Sequence, residues 1–229
     1  MTHTVRGVGA VVVAVLVFGA GPAAHGSVMI LSFEPDPPSP TTPEFVYDGT
    51  VLGVGPGADP ASGSLHVVSP YGASPFAGAS LTLTPLADVL PTFTYTPFPG
   101  NTGFVQPLGP GTFSFLASDD ITVLLTGTID SAMIAGMVGN AAGGVLTLDG
   151  AVTYTGGTIL DASPYKAGDQ GEFSWSLLLY DGATFGLDGS SQLLGFDANG
   201  VGQFNIVPEP AAMSLLGLGA LALIRRRKR

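Results

Sequence analysis

From Glu44 onward, apolar and small polar residues alternate in short runs, the period of a strand with one buried face. The runs are Phe45 to Val54, Leu65 to Val68, Ser80 to Thr84, Thr92 to Thr96, Thr112 to Leu116, Ile121 to Ile129, Val145 to Leu148, Ala151 to Thr155 and Glu172 to Tyr180. β-Branched and aromatic residues dominate them, and helix signals are nearly missing. Phe113, Phe115, Phe173, Trp175, Leu177 and Leu179 are predicted to fill one face of a sheet, with Thr112, Ser114, Ser174 and Ser176 pointing outward. Asp48-Gly49, Asp149-Gly150, Asp181-Gly182 and Asp188-Gly189 read as tight turns between strands. The pattern predicts an all-β fold, a single β-sandwich or jelly-roll-like domain over residues 44–206.

Three stretches break the alternation. Pro85 to Pro110 holds six prolines and reads as an edge strand or a long loop. Ser131 to Asn140 fits a helical turn, an edge strand or a loop. Glu34 to Pro43 carries five prolines in ten residues, the composition of an extended spacer, and places residues 27–43 as an N-terminal segment. Within that segment Val28 to Phe33 alternates well enough to be a first strand.

Charge is sharply segregated. Of the seven Lys and Arg only Lys166 lies between Ser27 and Val207, and of the 17 acids only Glu209 lies outside that span, which leaves the body at −15. Such a surface cannot neutralise a phosphate backbone, so nucleic acid is excluded as a partner. The same acids leave room for weak calcium binding, with Asp59, Asp119-Asp120 and Asp197-Ala198-Asn199-Gly200 as candidate turns, although the last lacks the spaced acids of a complete calcium loop. Cys is absent, which removes disulfides, thiol catalysis and thiolate metal sites.

Catalytic chemistry is thinly supplied, and the expectation is a protein that is not an enzyme and holds no cofactor. His66 is the one imidazole after the N-terminal segment, and no Gly-x-Ser-x-Gly turn accompanies it. Glu34, Glu44 and Glu172 are the glutamates available for a glycosidase pair. Gly53-Val54-Gly55-Pro56-Gly57 lacks the helix and the Lys of a nucleotide loop. Thr-x-Thr units at Thr82/Thr84, Thr92/Thr94/Thr96, Thr126/Thr128 and Thr153/Thr155 would place hydroxyls along a sheet face, a pattern shared by ordinary strands and ice-binding surfaces. A carbohydrate-binding module would expose aromatics such as Tyr71, Phe76, Tyr95 and Phe98.

The two ends are addresses. Residues 1–26 read as a secretory signal peptide: Arg6 is the cation, Val8 to Ala20 the apolar stretch, and Ala24-His25-Gly26 the small residues before a cut between Gly26 and Ser27. At the other end, Pro208-Glu209-Pro210 precedes an uncharged run from Ala211 to Ile224 and five cations, Arg225, Arg226, Arg227, Lys228 and Arg229. A mid-bilayer Arg is opposed by roughly 2.5–3.5 kcal/mol, so this cluster stops transfer. Fourteen helical residues rise only about 21 Å, a short transmembrane-type helix that needs its flanks to cross the roughly 30 Å hydrocarbon layer.

This order of tripeptide, apolar helix and basic tail over residues 207–229 resembles the PEP-CTERM sorting signal of bacterial surface and matrix proteins. The resemblance implies recognition of Pro208, Glu209 and Pro210 by an exosortase, a membrane-embedded protease that cuts nearby, with a signal peptidase acting first at Gly26/Ser27. It implies delivery to the cell surface or the exopolysaccharide of a biofilm matrix, with a transient or retained membrane anchor. The family shares this signal and not a common body. The sequence therefore points to an exported structural or adhesion protein, with a carbohydrate-binding module as the alternative and a glycoside hydrolase or ice-binding protein behind it.

Overall fold

A computed structural model describes residues 27–35, 42–58, 65–72, 75–139, 145–180 and 185–207. The signal peptide through Gly26, the spacer residues 36–41, Asp59, Asp181-Gly182, and residues 208–229 with their expected helix and basic tail lie outside the described residues.

The strands are β1 (Val28–Pro35), β2 (Phe45–Tyr47), β3 (Val51–Val54), β4 (Leu65–Val68), β5 (Phe76–Leu83), β6 (Leu86–Ala87), β7 (Phe93–Tyr95), β8 (Gly103–Leu108), β9 (Gly111–Leu116), β10 (Val123–Met137), β11 (Val145–Gly156), β12 (Gln170–Leu179) and β13 (Phe196–Ile206). One five-residue helix, α1 (Thr158–Ala162), separates β11 from β12. Every pairing is antiparallel, and the order β1-β4-β5-β9-β10-β11-β12-β13 returns to β1, which closes an eight-stranded barrel.

The shorter strands continue the barrel's staves. β13 pairs with β1 through Gly202 to Ile206 and with β2 through Phe196 to Ala198. β10 pairs with β9 through Val123 to Ile129 and with β8 through Ala132 to Met137. β3 and β4 likewise run beside β2 and β1, and β6 reaches β8 through an Asp88–Leu108 bridge and a Gly109 N–H to Ala87 O bond of 2.7 Å. Each stave lies beside its neighbours in sequence, an up-and-down meander. The β10 stave is 15 residues long, so with a 35–45° tilt the barrel spans roughly 40 Å.

The expected sandwich is thus corrected to a closed barrel. Alternation within a strand is the same in both architectures; what differs is whether the first and last strands meet, and here Val28 pairs with Ile206. Val28–Pro35 consequently belongs to the barrel wall. One further expectation is overturned. Asp149-Gly150 is no turn but the middle of β11, where a Cβ on Gly150 would sit 2.5 Å from the Phe173 ring and 2.3 Å from Ser131 O. Of the stretches left open, Ser131 to Met137 extends β10 as a strand paired on both sides, and the proline-rich stretch holds β7, an edge strand paired with β8, and β8 itself, paired with β7 and β10. Asp48-Gly49 does turn as expected, with Gly49 at φ 98°.

Inward positions form one aromatic core. β12 alternates without fault, Phe173, Trp175, Leu177 and Leu179 inside and Glu172, Ser174, Ser176 and Leu178 outside. Phe113 and Phe173 stack on Phe204 at 4.6 and 5.7 Å, and Trp175 packs against Phe33, Phe45 and Phe173 at 4.9–5.5 Å. Glycines on neighbouring staves make the room, small beside large in the same layer of the wall. A Cβ at Gly202 would stand 2.2 Å from Trp175 Cδ1, and one at Gly200 2.5 Å from the Phe45 ring. Buried Ile159 and Leu160 of α1 plug the end that holds both described termini, and Phe185 and Leu193 close the other. With polar residues outside and apolar ones inside, the wall is the reverse of a lipid-spanning barrel. Among the described residues no helix is long and apolar enough to cross a membrane.

Candidate functional site

The barrel has two poles. Val28 and Ile206 end the wall at one of them, and the Val207 N–H donates to Gln170 O at 3.1 Å. Ser27 is exposed there, so the residue that follows the expected signal-peptidase cut and the chain leading into Pro208-Glu209-Pro210 leave side by side. Gly26, those three residues and Arg225 to Arg229 lie outside the described residues.

Nucleophile and carboxylate candidates do not converge. His66, on β4, has Nδ1 4.0 Å from Glu34 Oε1, on an outer face where the glutamate is 62% exposed. Both line a shallow groove of about 450 Å3 across β12, β13, β1 and β4, together with Ser32, Ser174, Ser176 and Gln203. Its lining contains one carboxylate, where glycosidase chemistry needs two. Glu172 is exposed on β12. Glu44 is the unusual one: it is 3% exposed, its carboxylate accepts one hydrogen bond, from Gly200 N–H at 2.7 Å, and burial pushes its carboxyl up to about 7 against that bond. It does not line the groove.

The acidic turns are occupied by their own neighbours. Asp119 accepts from Thr122 Oγ1 at 2.6 Å and from the Thr122 and Ile121 amides, and these bonds hold its carboxyl below the usual range. Asp48 and Asp188 do the same with Thr50 and Val51, and with Gln192 and Ser190. Among the described residues no three His, Asp or Glu gather closely enough to hold a metal. The glycines after β3 serve packing: Gly55 N–H donates to Glu44 O, and a Cβ on Gly55 would meet Pro43 O at 2.3 Å. Threonine hydroxyls do line the outer wall, but they bond one another and the wall. Thr84 pairs with Thr112 at 2.6 Å, Thr126 donates to Phe113 O at 2.9 Å, and Thr153 donates to Asp130 at 2.9 Å.

The aromatics divide into two sets. Tyr71 and Phe76 pack against the core, Tyr71 edge-on to Tyr165 at 6.1 Å. Tyr95 and Phe98 are 50% and 68% exposed, and Phe93, which sequence reasoning did not single out, is 55% exposed. All three lie on the hairpin between β7 and β8, at the pole opposite the termini. Its root is fixed by fully buried Gln106, whose Nε2 donates to Leu90 O at 2.9 Å and whose Oε1 accepts from Thr92 Oγ1. Thr92 Oγ1 in turn accepts from Leu193 N–H at 3.0 Å. Tyr95 stands directly across from Gly103, and a Cβ there would come within 2.4 Å of the Tyr95 ring. The ring therefore lies flat on the opposite strand and shows its other face to solvent.

Residues 207–229 match the family of the PEP-CTERM protein-sorting motif. No curated protein and no solved structure matches the chain. The motif, which takes up the C-terminal 23 residues, implies an exported protein that an exosortase processes on its way to a surface or extracellular location.

Proposed function

We propose that this is a non-enzymatic structural or adhesion protein of the cell surface or exopolysaccharide matrix, released from the membrane by signal peptidase and exosortase. The observation that carries the reading is polarity. The sorting motif begins at Val207, directly after the last barrel residue Ile206 and beside Val28 of the first strand, so the pole bearing Phe93, Tyr95 and Phe98 points away from the processing machinery. A closed barrel with a filled aromatic interior suits a rigid spacer or display element better than a substrate pocket. A second reading, a carbohydrate-binding module, is favoured by the exposure of Tyr95 and Phe98.

Cell fractionation tests the proposal. In the producing organism the barrel is expected in the surface and matrix fractions, and in a strain lacking the exosortase it should stay with the membrane. A barrel found in the cytoplasm, or released equally in both strains, would overturn it.

A further inference from the structure

We infer that the hairpin from Val89 to Thr102 is a stacking platform for sugar rings of a neutral polysaccharide, contacted by Phe93, Tyr95 and Phe98. This rests on the matrix reading above and adds the contact and the ligand class to it. Three observations combine. The hairpin holds three half-exposed aromatic rings within six residues, whereas the other large hydrophobics exposed among the described residues, such as Met29, Val68, Ile121, Met133, Leu178 and Val201, are aliphatic and scattered along the chain. Those rings are mounted on a fixed base, since Gln106 and Thr92 lock the root and Gly103 seats Tyr95, so the cost of ordering a binding face is met in folding. And the fourteen residues from Val89 to Thr102 include no Asp, Glu, Lys or Arg, in a body of net charge −15.

That last point selects the ligand. An anionic polymer would be repelled by the body and would find no cation on the hairpin, and a cationic partner would find no acid there. Sugar rings present apolar C–H faces to aromatic π-systems, and Thr94, Thr96 and Asn101 flank the rings with hydroxyl and amide groups for the equatorial hydroxyls. The position matches: the tip stands roughly 40 Å from the sorting motif, by the length of the β10 stave.

The test uses the Ser27 to Val207 protein, which contains every described strand pairing, and the uncharged fraction of the producing organism's exopolysaccharide, in co-sedimentation and affinity electrophoresis. The expected result is binding unaffected by 0.5 M NaCl or chelator and weakened roughly tenfold in Tyr95→Ala and in Phe98→Ala, with the near-ultraviolet signal of Trp175 unchanged. Gly103→Ala, which displaces the Tyr95 ring without removing it, should weaken binding to a similar degree. The proposal is overturned if the wild-type protein ignores the uncharged fraction while binding the charged one, or if it binds neither. It is also overturned if both alanine variants bind as the wild type does, or if they abolish self-association in analytical ultracentrifugation, which would make the patch an interface between copies. None of these results alters the fractionation outcome, so the matrix reading stands or falls separately.

Discussion

Val28 lies directly across from Ile206, in an antiparallel pair that joins the first strand of the barrel to the last. Two consequences follow from that contact. It joins the two edges of the eight-stranded sheet, which an open sandwich would have to protect by other means, and it brings the two ends of the described chain, Ser27 and Val207, to one pole. The expected export signal and the sorting motif therefore adjoin the same end of a closed body.

Removing residues 27–41, so that the protein begins within the spacer, should do more than trim a tail. β1 contributes Ile30, Leu31 and Phe33 to the core, all nearly inaccessible, and its loss bares the edges of β4 and β13. The expected outcome is an aggregating or dimeric product in size-exclusion chromatography with a collapsed thermal transition. A monomer with an unchanged midpoint would show that β1 does not close the barrel.

Gly202→Ala tests the aromatic column. The new methyl would stand 2.2 Å from Trp175 Cδ1 and 2.9 Å from Phe33 Cε1, both held by neighbouring rings, so overpacking should cost about 1–3 kcal/mol and lower the urea midpoint. Gly189→Ala meets nothing within 4 Å and is expected to leave stability within about 0.5 kcal/mol of the wild type. Equal midpoints for the two variants would refute the packing account.

The alternation that made β12 legible made the barrel's interior legible with it: Phe113, Phe115, Phe173 and Trp175 are all buried where the pattern puts them. The closure was not legible, because Val28 and Ile206 sit at opposite ends of the described chain and nothing local pairs them. Asp149-Gly150 misled because the glycine answers to the ring of Phe173, its pair on the neighbouring strand β12, and not to a turn. β8 was hidden by Pro107, which has no N–H to give the ladder, yet it pairs with Met133 and its carbonyl accepts from Val89 N–H at 3.4 Å. At the candidate site, Tyr95 and Phe98 could be nominated from composition. Their separation from Tyr71 and Phe76 required knowing which hairpin ends pack under Tyr165 and which stand free, and the seat that Gly103 provides appears only when the strands are paired.

Processing predicts a mass. The form recovered from the surface or matrix should begin at Ser27 and lack at least Arg225 to Arg229, as read by intact mass spectrometry. Replacing Glu209 by Ala should leave the longer species in the membrane fraction, because the tripeptide is what the sorting enzyme is expected to recognise. An exported form that keeps its five terminal cations would sink the cleavage claim.

Glu44 predicts how stability depends on pH. Its carboxyl sits near 7 in the folded barrel, against an ordinary value of 4.5, because burial opposes the charge more than the Gly200 amide favours it. Below about pH 4.5 the group is protonated in both folded and unfolded chains and contributes no difference. Between 4.5 and 7 the folded form retains a proton that the unfolded chain has lost, so stability falls as pH rises; above 7 the loss levels off at about 3 kcal/mol. Glu44→Gln keeps an acceptor for Gly200 N–H and cannot ionise. The variant should therefore match the wild type near pH 4 and exceed it by up to about 3 kcal/mol at pH 8, measured as the difference between paired urea titrations so that the lowered carboxyls of Asp48, Asp119 and Asp188 cancel. A difference that is constant across this window would mean that Glu44 folds as an ordinary solvated acid.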